Sequence, residues 1–322
     1  MSIYLSLVIP TFNRSQFLRQ LINSTWAAGF DDINGEIVIS DNASEDDTYE
    51  IVKSYNDPRI RYFRNECNLG IALNMIRGLE RARGDYCWLL SDDDLLVDGA
   101  INKLARIIRS DKRIGVVICS YELFRDEDID KTLATRHDFK IDRRFSAGKD
   151  ALEHLFLLSH HMSRIVIRQD LLDIEGAYRW AESIYPNMYI VGSALKRADG
   201  YYTSDPLLRV RIENRKHWSY KDDYMMKDLL EMARELTSGE PYGFSTFRRI
   251  SKNMVKDSYH SLKAARERDS KTYLRLVSAL LKLKEFRRSP HFWFYATVFG
   301  LLGKPGLTLL RAVKHSYARK RL

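Results

Sequence analysis

Cysteine is scarce in this chain: three residues in 322, at Cys67, Cys87 and Cys119. An odd number without metal-like spacing argues against a disulfide framework and against a thiolate metal site. Cys87 and Cys119 sit in apolar runs as buried thiols, which favours a reducing compartment. A long apolar run is missing too. The longest candidate, "FWFYATVFGLL" (292–302), has about half of the roughly 18 residues a spanning helix needs, and it ends in "GKPG". The opening "MSIYLSLVIP" has no basic leader, and its apolar run is too short for a signal peptide. The expectation is a cytoplasmic protein, soluble or peripheral on the inner face of the cytoplasmic membrane. No GxGxxG follows the first apolar run and no GxxxxGK[ST] occurs, so the dinucleotide fingerprint and the P-loop are both absent. Internal repeats are absent as well.

What is present is the composition of a globular protein, 45% hydrophobic and 30% charged. The length fits one large domain or two smaller ones. Charge is unevenly placed. From Ser245 onward there are 19 Lys+Arg against 4 Asp+Glu, a net +15, which leaves −6 for the first 244 residues of a chain whose total is +9. A mildly acidic body with a basic C-terminal region implies that this region meets something anionic, such as a lipid surface.

Apolar runs alternate with helical patterns. Residues 3–9 read as a strand stopping at Pro10, 36–40, 60–64, 86–90 and 114–120 as further strands. Between the first two lies a helix capped by Ser15, with Phe17, Leu18, Leu21, Ile22 and Trp26 on its apolar face. This rhythm predicts an α/β fold with a parallel, doubly wound sheet. Residues 125–144 read as a mobile surface segment, 163–168 as a strand, and the chain from 222 onward as helices.

Three polar loops follow strands: "PTFNR", "SDNASEDDT" and "SDDD". In such sheets ligands bind beyond the carboxyl ends of the strands, so all three converge on one edge. Asp92, Asp93 and Asp94 are adjacent carboxylates after an apolar run. Their mutual repulsion and burial demand either solvation as a surface turn or a cation among them. A strand-end carboxylate pair suits Mg²⁺ or Mn²⁺, which also grips phosphate oxygens. Asp41, ending the second strand, can accept hydrogen bonds from a nucleotide's base or ribose, or form an ordinary Asx turn.

Taken in order, "LVIPTFNR", "EIVISDNASEDDT" and "RNECNLGIALNMIRGLERARGDYCWLLSDDD" resemble the family 2 glycosyltransferases of GT-A fold, closely over residues 3–120 and loosely over 160–220. "YCWLLSDDD", "SDNAS" and "SIYPNMYIV" look most like the abequosyltransferase-like branch, which adds a dideoxysugar to O-antigen repeat units. The resemblance implies a mostly parallel GT-A sheet flanked by helices. Residues 1–120 would form its nucleotide-binding part, 121–220 its acceptor part, and 221–322 a helical, basic extension. By position, Pro10, Thr11, Asn13 and Arg14 match the loop lining the nucleotide, and Asp41 the aspartate on its base. Asn68, Leu69 and Gly70 match the turn before the donor-site helix. The family's DxDD motif has Ser91 in first place here. By this resemblance Asp92 and Asp93 together cover the diphosphate and metal, with Asp93 favoured as the direct ligand, and Asp94 matches the last aspartate.

One element departs. Inverting members carry an acidic pair ahead of a helix, whose aspartate deprotonates the acceptor. Around Pro186–Met188 no carboxylate stands there, and Glu182 is the substitute base, with His160 and His161 as rivals. In "VRIENRKHWS" the resemblance places His217 on the metal or a phosphate and Arg211 or Arg215 on the diphosphate. The implied partners are a nucleotide-sugar donor and a lipid-linked oligosaccharide acceptor in bacterial surface polysaccharide synthesis. Phe292, Trp293, Phe294, Tyr295 and Phe299 with the surrounding cations suit an interfacial helix on anionic lipid, or a core-packed helix with a solvated basic tail. Nucleic acid is not expected, for no recognisable binding fold accompanies the charge. A non-catalytic nucleotide- or glycan-binding relative is the alternative.

Overall fold

Apolar runs without alternation make strands buried on both faces, and the N-terminal half of this chain is built from them. The computed structural model describes residues 4–183, 185–212, 222–239 and 241–301. The strands are β1 (Tyr4–Thr11), β2 (Asn34–Asp41), β3 (Ile60–Arg64), β4 (Tyr86–Leu89), β5 (Leu95–Leu96), β6 (Ile114–Phe124), β7 (Ala134–Arg136), β8 (Arg143–Phe145), β9 (Ile165–Arg168) and β10 (Asp199–Arg211). They pair in the order β3-β2-β1-β4-β9-β6-β10-β5, with β7 beside β6 and β8 beside β10. The β3-β2-β1-β4 half is parallel throughout. β9 then enters antiparallel between β4 and β6, so the sheet is not parallel from edge to edge as strand–helix alternation implied.

Helices cover the sheet: α1 (Ser15–Ala27), α2 (Thr48–Ser54), α3 (Ile71–Arg81), α4 (Ala100–Ser110), α5 (Lys149–Leu155), α6 (Ile174–Arg179) and α7 (Pro186–Leu195). Leu18, Leu21 and Ile22 of α1 are fully buried with Leu7, Ile9, Ile39 and Trp88. Ser15 is the first helical residue and not the cap. Its N–H donates 2.9 Å to the Asp46 carboxylate from the loop after β2, so a neighbouring loop closes this helix end. The 125–144 segment is tied down, contrary to its polar composition. It contributes β7, its Asp138 pairs with the buried Arg164, and Phe139 packs edge-on against Tyr202.

The chain divides into two units, Met1–Trp218 and Ser219–Leu322. The second holds α8 (Asp222–Leu236), α9 (Gly243–Arg268), α10 (Ser270–Lys282) and α11 (Lys284–Arg287), and residues 290–301 are helical too. Its core takes Ile250, Leu262, Leu276, Leu280 and Phe286. The aromatic cluster of 292–299 divides by exposure. Phe292 and Phe299 are buried, against Phe286 and Tyr259, whereas Trp293 and Phe294 stand in solvent. Among the described residues no helix is long and apolar enough to cross a membrane.

At the edge of the sheet away from the three loops, Glu36 is buried at 2% exposure. Its carboxylate accepts from Ser6 Oγ (2.7 Å), Arg61 (2.6 Å) and the Arg83 N–H (2.7 Å). Gly84 lets the chain come this close, since a Cβ there would lie 2.6 Å from the Ser6 nitrogen. Burial pushes the Glu36 carboxyl upward, but these three donors outweigh it and hold it below the ordinary value. Its contribution is therefore present above the unfolded-state value and is lost as pH falls through the folded one. Arg61→Ala should cost roughly 2–4 kcal/mol at pH 7 by leaving that charge unpaired. In urea unfolding, the gap from wild type should narrow as pH drops below 4.5, the carboxyl's ordinary value.

Candidate active site

The loops after β1, β2 and β4 meet at the carboxyl edge, and the aspartates lie between them. Asp92 and Asp94 are buried, at 4% and 2%, while the Asp93 side chain keeps 19% of its surface. Protein groups from four stretches of chain compensate them. Thr11 Oγ1 donates to Asp92 at 2.8 Å, and the Arg14 guanidinium bridges Asp92 (3.2 Å) and Asp93 (2.9 Å). Ser91 Oγ donates to Asp93 at 2.6 Å. Ser163 Oγ donates to Asp94 at 2.6 Å, the Arg211 N–H at 3.2 Å, and His161 Nε2 stands 3.7 Å away.

The charge remains expensive. Burial raises Asp92 to about 6, with the Asp93 charge adding to it and Arg14 and Thr11 opposing. Asp94 is likewise raised, by burial first and then by Asp93, against hydrogen bonds from Ser163 and Arg211.

Arg211 is buried and anchors this loop. It is 3% exposed, donates through Nε to the Asp93 carbonyl (2.7 Å) and through Nη2 to Gln20 (2.6 Å), pairs with Asp126, and lies over the Phe17 and Phe124 rings. Arg215 and His217 lie outside the described residues.

The other two loops are stitched to the first. Asn13, at φ +51°, takes the Glu45 N–H on its side chain (2.7 Å) and donates its own N–H to Ser44 (2.9 Å). Asp41 is 1% exposed and accepts from Tyr62 and from the Ser44 N–H (3.0 Å). Asn42 donates to Asn68 (2.6 Å) and accepts the Leu69 N–H (2.9 Å), while Asn68 also takes the Gly70 N–H. Gly70, at φ +82°, turns the chain into α3. Beneath them the buried Asn74 donates to the Ser40 and Thr11 carbonyls and accepts from Asn65. Asn42, Asn65 and Asn74 went unread in the sequence, as did Ser163. Nothing in one sequence marks an asparagine inside a helix or a serine before a strand as a bridge between loops.

Pro10 and Thr11 are buried at the end of β1, and Arg14 is half-buried with its head on the aspartates. Glu182 is exposed in the turn between α6 and α7, and no described contact joins it to the aspartates. His160 is exposed and bonded to its own turn through the Leu157 carbonyl. His161 stacks on Tyr121 with its Nε2 toward Asp94.

Among the described residues no three His, Cys, Asp or Glu side chains gather as a metal-binding group. Asp93 is the one partly exposed carboxylate of the three. A single carboxylate fits a hard cation that keeps waters and takes its remaining ligands from phosphate.

The sequence pattern of "Glycosyl transferase family 2" matches residues 6–173, just over half of the chain. The chain belongs to that family. Abequosyltransferase RfbV of Salmonella typhimurium is 28% identical over 228 residues, 65% of this chain and 67% of that protein. A GalNAc(5)-diNAcBac-PP-undecaprenol beta-1,3-glucosyltransferase of Campylobacter jejuni is 40% identical over 103 residues, but those span only 33% of it and 31% of this chain. The fold is that of S. aureus TarS 1-349, solved in complex with UDP (TM-score 0.64, 14% identity, 99% of this chain and 92% of that one). It is also that of the Pyrobaculum calidifontis mannosyltransferase PcManGT, solved with GDP-Man and Mn²⁺ (TM-score 0.55, 13% identity, 94% and 87%). The family 2 chain thus has the GT-A architecture that its motifs implied.

The two roles along this loop separate by mutation. Arg211→Leu removes buried hydrogen bonds from the loop and should cost about 3 kcal/mol in urea unfolding without any ligand. Asp93→Asn, on a partly exposed side chain, should stay within about 1 kcal/mol of wild type.

Proposed function

We propose that this family 2 chain transfers a sugar from a nucleoside diphosphate donor to a lipid-linked oligosaccharide during assembly of a bacterial surface polysaccharide. The observation that carries the reading is Asp93, held open at the carboxyl edge by Ser91 and Arg14 while its two neighbours are buried as supports. The name of the Campylobacter relative supports the acceptor class, and that of the Salmonella relative supports a deoxy- or dideoxyhexose as the sugar.

In this reading the loop Pro10–Arg14 and the Asp41 and Asn68–Gly70 turns line the nucleotide. Asp92 keeps Thr11 and Arg14 in register, and Arg14 brings a cation to the diphosphate side of Asp93. When bound on Asp93, Mg²⁺ or Mn²⁺ would supply positive charge against the departing diphosphate, and His217 is the second candidate ligand. The protein's part is positioning and electrostatic stabilisation. Transfer inverts the anomeric carbon: a base takes the acceptor hydroxyl's proton as that oxygen displaces the diphosphate. Glu182 is the proposed base. His161 is its rival, because the structure sets it beside Asp94.

The first test is thermal stabilisation by UDP, GDP, CDP and dTDP, with and without Mn²⁺, since a ligand well above its dissociation constant raises the melting temperature. One nucleotide should give a shift that needs the metal and disappears in Asp93→Asn. Turnover should then fall at least about a hundredfold in Glu182→Gln with donor binding intact. The same loss in His161→Gln alone would move the base to His161. No turnover by wild type with any donor and acceptor would leave a binding protein in place of an enzyme.

A further inference from the structure

The second unit carries a basic cleft that the transfer chemistry does not use. About 1000 Å³ in volume, it lies between α9 on one side and α11 with the chain to His291 on the other. Arg248, Lys252 and Lys256 recur every fourth residue along α9, so they form one stripe of the helix. Lys284 and Arg288 line the opposite wall with the same spacing. All five are exposed, and none of them has an ion-pair partner among the described residues.

Rows of like charge at this spacing repel one another on a helix, and several other cations of the unit have an acidic partner. Lys227 has Glu231 at 3.8 Å, Lys263 has Glu267 at 3.9 Å, and Arg234 has Glu285 at 3.1 Å. Glu285 is the one acidic residue lining the cleft, and Arg234 already engages it. The cleft therefore keeps a strong positive charge, as does the smaller row Lys271 and Arg275 on α10.

Apolar surface stands beside the charge. Phe244 lines the cleft yet is 76% exposed. One helical turn beyond His291, Phe294 is 63% exposed, and Leu301, two turns further along the same face, 81%. Trp293, next to them, is 46% exposed with its indole N–H satisfied by the Arg287 carbonyl, so only its apolar body seeks a partner. Cations flanked by exposed aromatics are what a bilayer surface asks for: phosphate-bearing headgroups for the charge and the acyl boundary for the rings. A soluble anion would satisfy the cations and leave the rings in water.

We propose that the α9–α11 cleft, with Phe244, Trp293 and Phe294 at its side, is a docking surface for an anionic phospholipid bilayer. This surface is separate from the donor site and stands whether or not the sugar-transfer reading holds. The cleft cations draw the unit to the lipid phosphates, and the aromatic side chains enter the headgroup boundary. Each cation adds to the attraction within a Debye length, so the interaction weakens with salt.

The test is flotation of the full chain with phosphatidylcholine vesicles, with and without roughly a third phosphatidylglycerol, at about 0.1 M and 0.5 M salt. Wild type should float with the anionic vesicles at low salt only. The quadruple variant Arg248→Glu, Lys252→Glu, Lys256→Glu, Arg288→Glu should bind at least about tenfold more weakly. Phe244→Ser with Phe294→Ser should weaken binding with the charge intact. All changed side chains are exposed, and an unchanged melting temperature and nucleotide response in each variant would show that fold and donor site survive. Equal flotation of wild type and the quadruple variant would overturn the proposal and assign binding to the cations of residues 302–322. So would equal binding to neutral vesicles. Stabilisation of wild type by inorganic phosphate without any vesicle binding would overturn it too, as a site for a free anion.

Discussion

Three consecutive carboxylates at the mouth of a sheet set the terms for everything near them. Two of the three are buried, and burial by itself drives their acids toward protonation. The fold meets this with Thr11 and Arg14 from the first loop, Ser91 from their own loop, Ser163 from the turn before β9, and Arg211 from the end of β10. These groups are brought together only when β9 is inserted antiparallel beside β4 and when β10 runs along β6. The antiparallel strand that interrupts the sheet thereby also positions the hydroxyl that hydrogen-bonds Asp94.

The same arrangement separates the aspartates by task. Asp92 is a fixed point for the first loop, because Thr11 and Arg14 both close on it. Asp94 fixes the end of β10 through the Arg211 N–H, and Arg211 in return grips the Asp93 carbonyl. Asp93 is left with its backbone clamped and its carboxylate partly in solvent, which is the condition for presenting a charged group in a set direction. An asparagine network does for the loops after β2 and β3 what the aspartates do for the loop after β1, with neutral amides that carry no ionic penalty.

Much of this was legible in the order of the residues. Apolar runs ending in polar loops place β1, β2 and β4 and direct "PTFNR", "SDNAS" and "SDDD" to one edge, because a parallel sheet has one carboxyl side. What was not legible depends on distance along the chain. Ser163 lies 69 residues from Asp94, and Arg211 lies 118 from Asp93, with nothing in their own neighbourhoods to mark the pairing. Arg211 reads as a ligand-facing cation in "VRIENR", whereas packing between Phe17 and Phe124 makes it a buried clamp. Ser15 reads as its own helix cap until Asp46 is seen to arrive from another loop. The cleft of the second unit illustrates the opposite case. The excess of cations there is plain in composition, and the pairs Lys227–Glu231 and Lys263–Glu267 follow from their spacing, but Arg234–Glu285 follows only from how α8 packs against α11.

The charge balance at the carboxyl edge bears on the proposed reaction. Arg14 is one cation shared between two carboxylates, Asp92 and Asp93, so this part of the edge is already short of positive charge. A nucleoside diphosphate arriving there brings further negative charge into a partly dry site, where repulsion is felt more strongly than in water. Drawing Arg14 onto the phosphates would uncover Asp92, the more deeply buried of its two carboxylate partners. On the proposed reaction, then, donor binding and the gain of another cation are linked, each favouring the other by the same factor. On that proposal Asp93 is the place for that cation, because it is the one member of the triplet whose side chain is partly exposed.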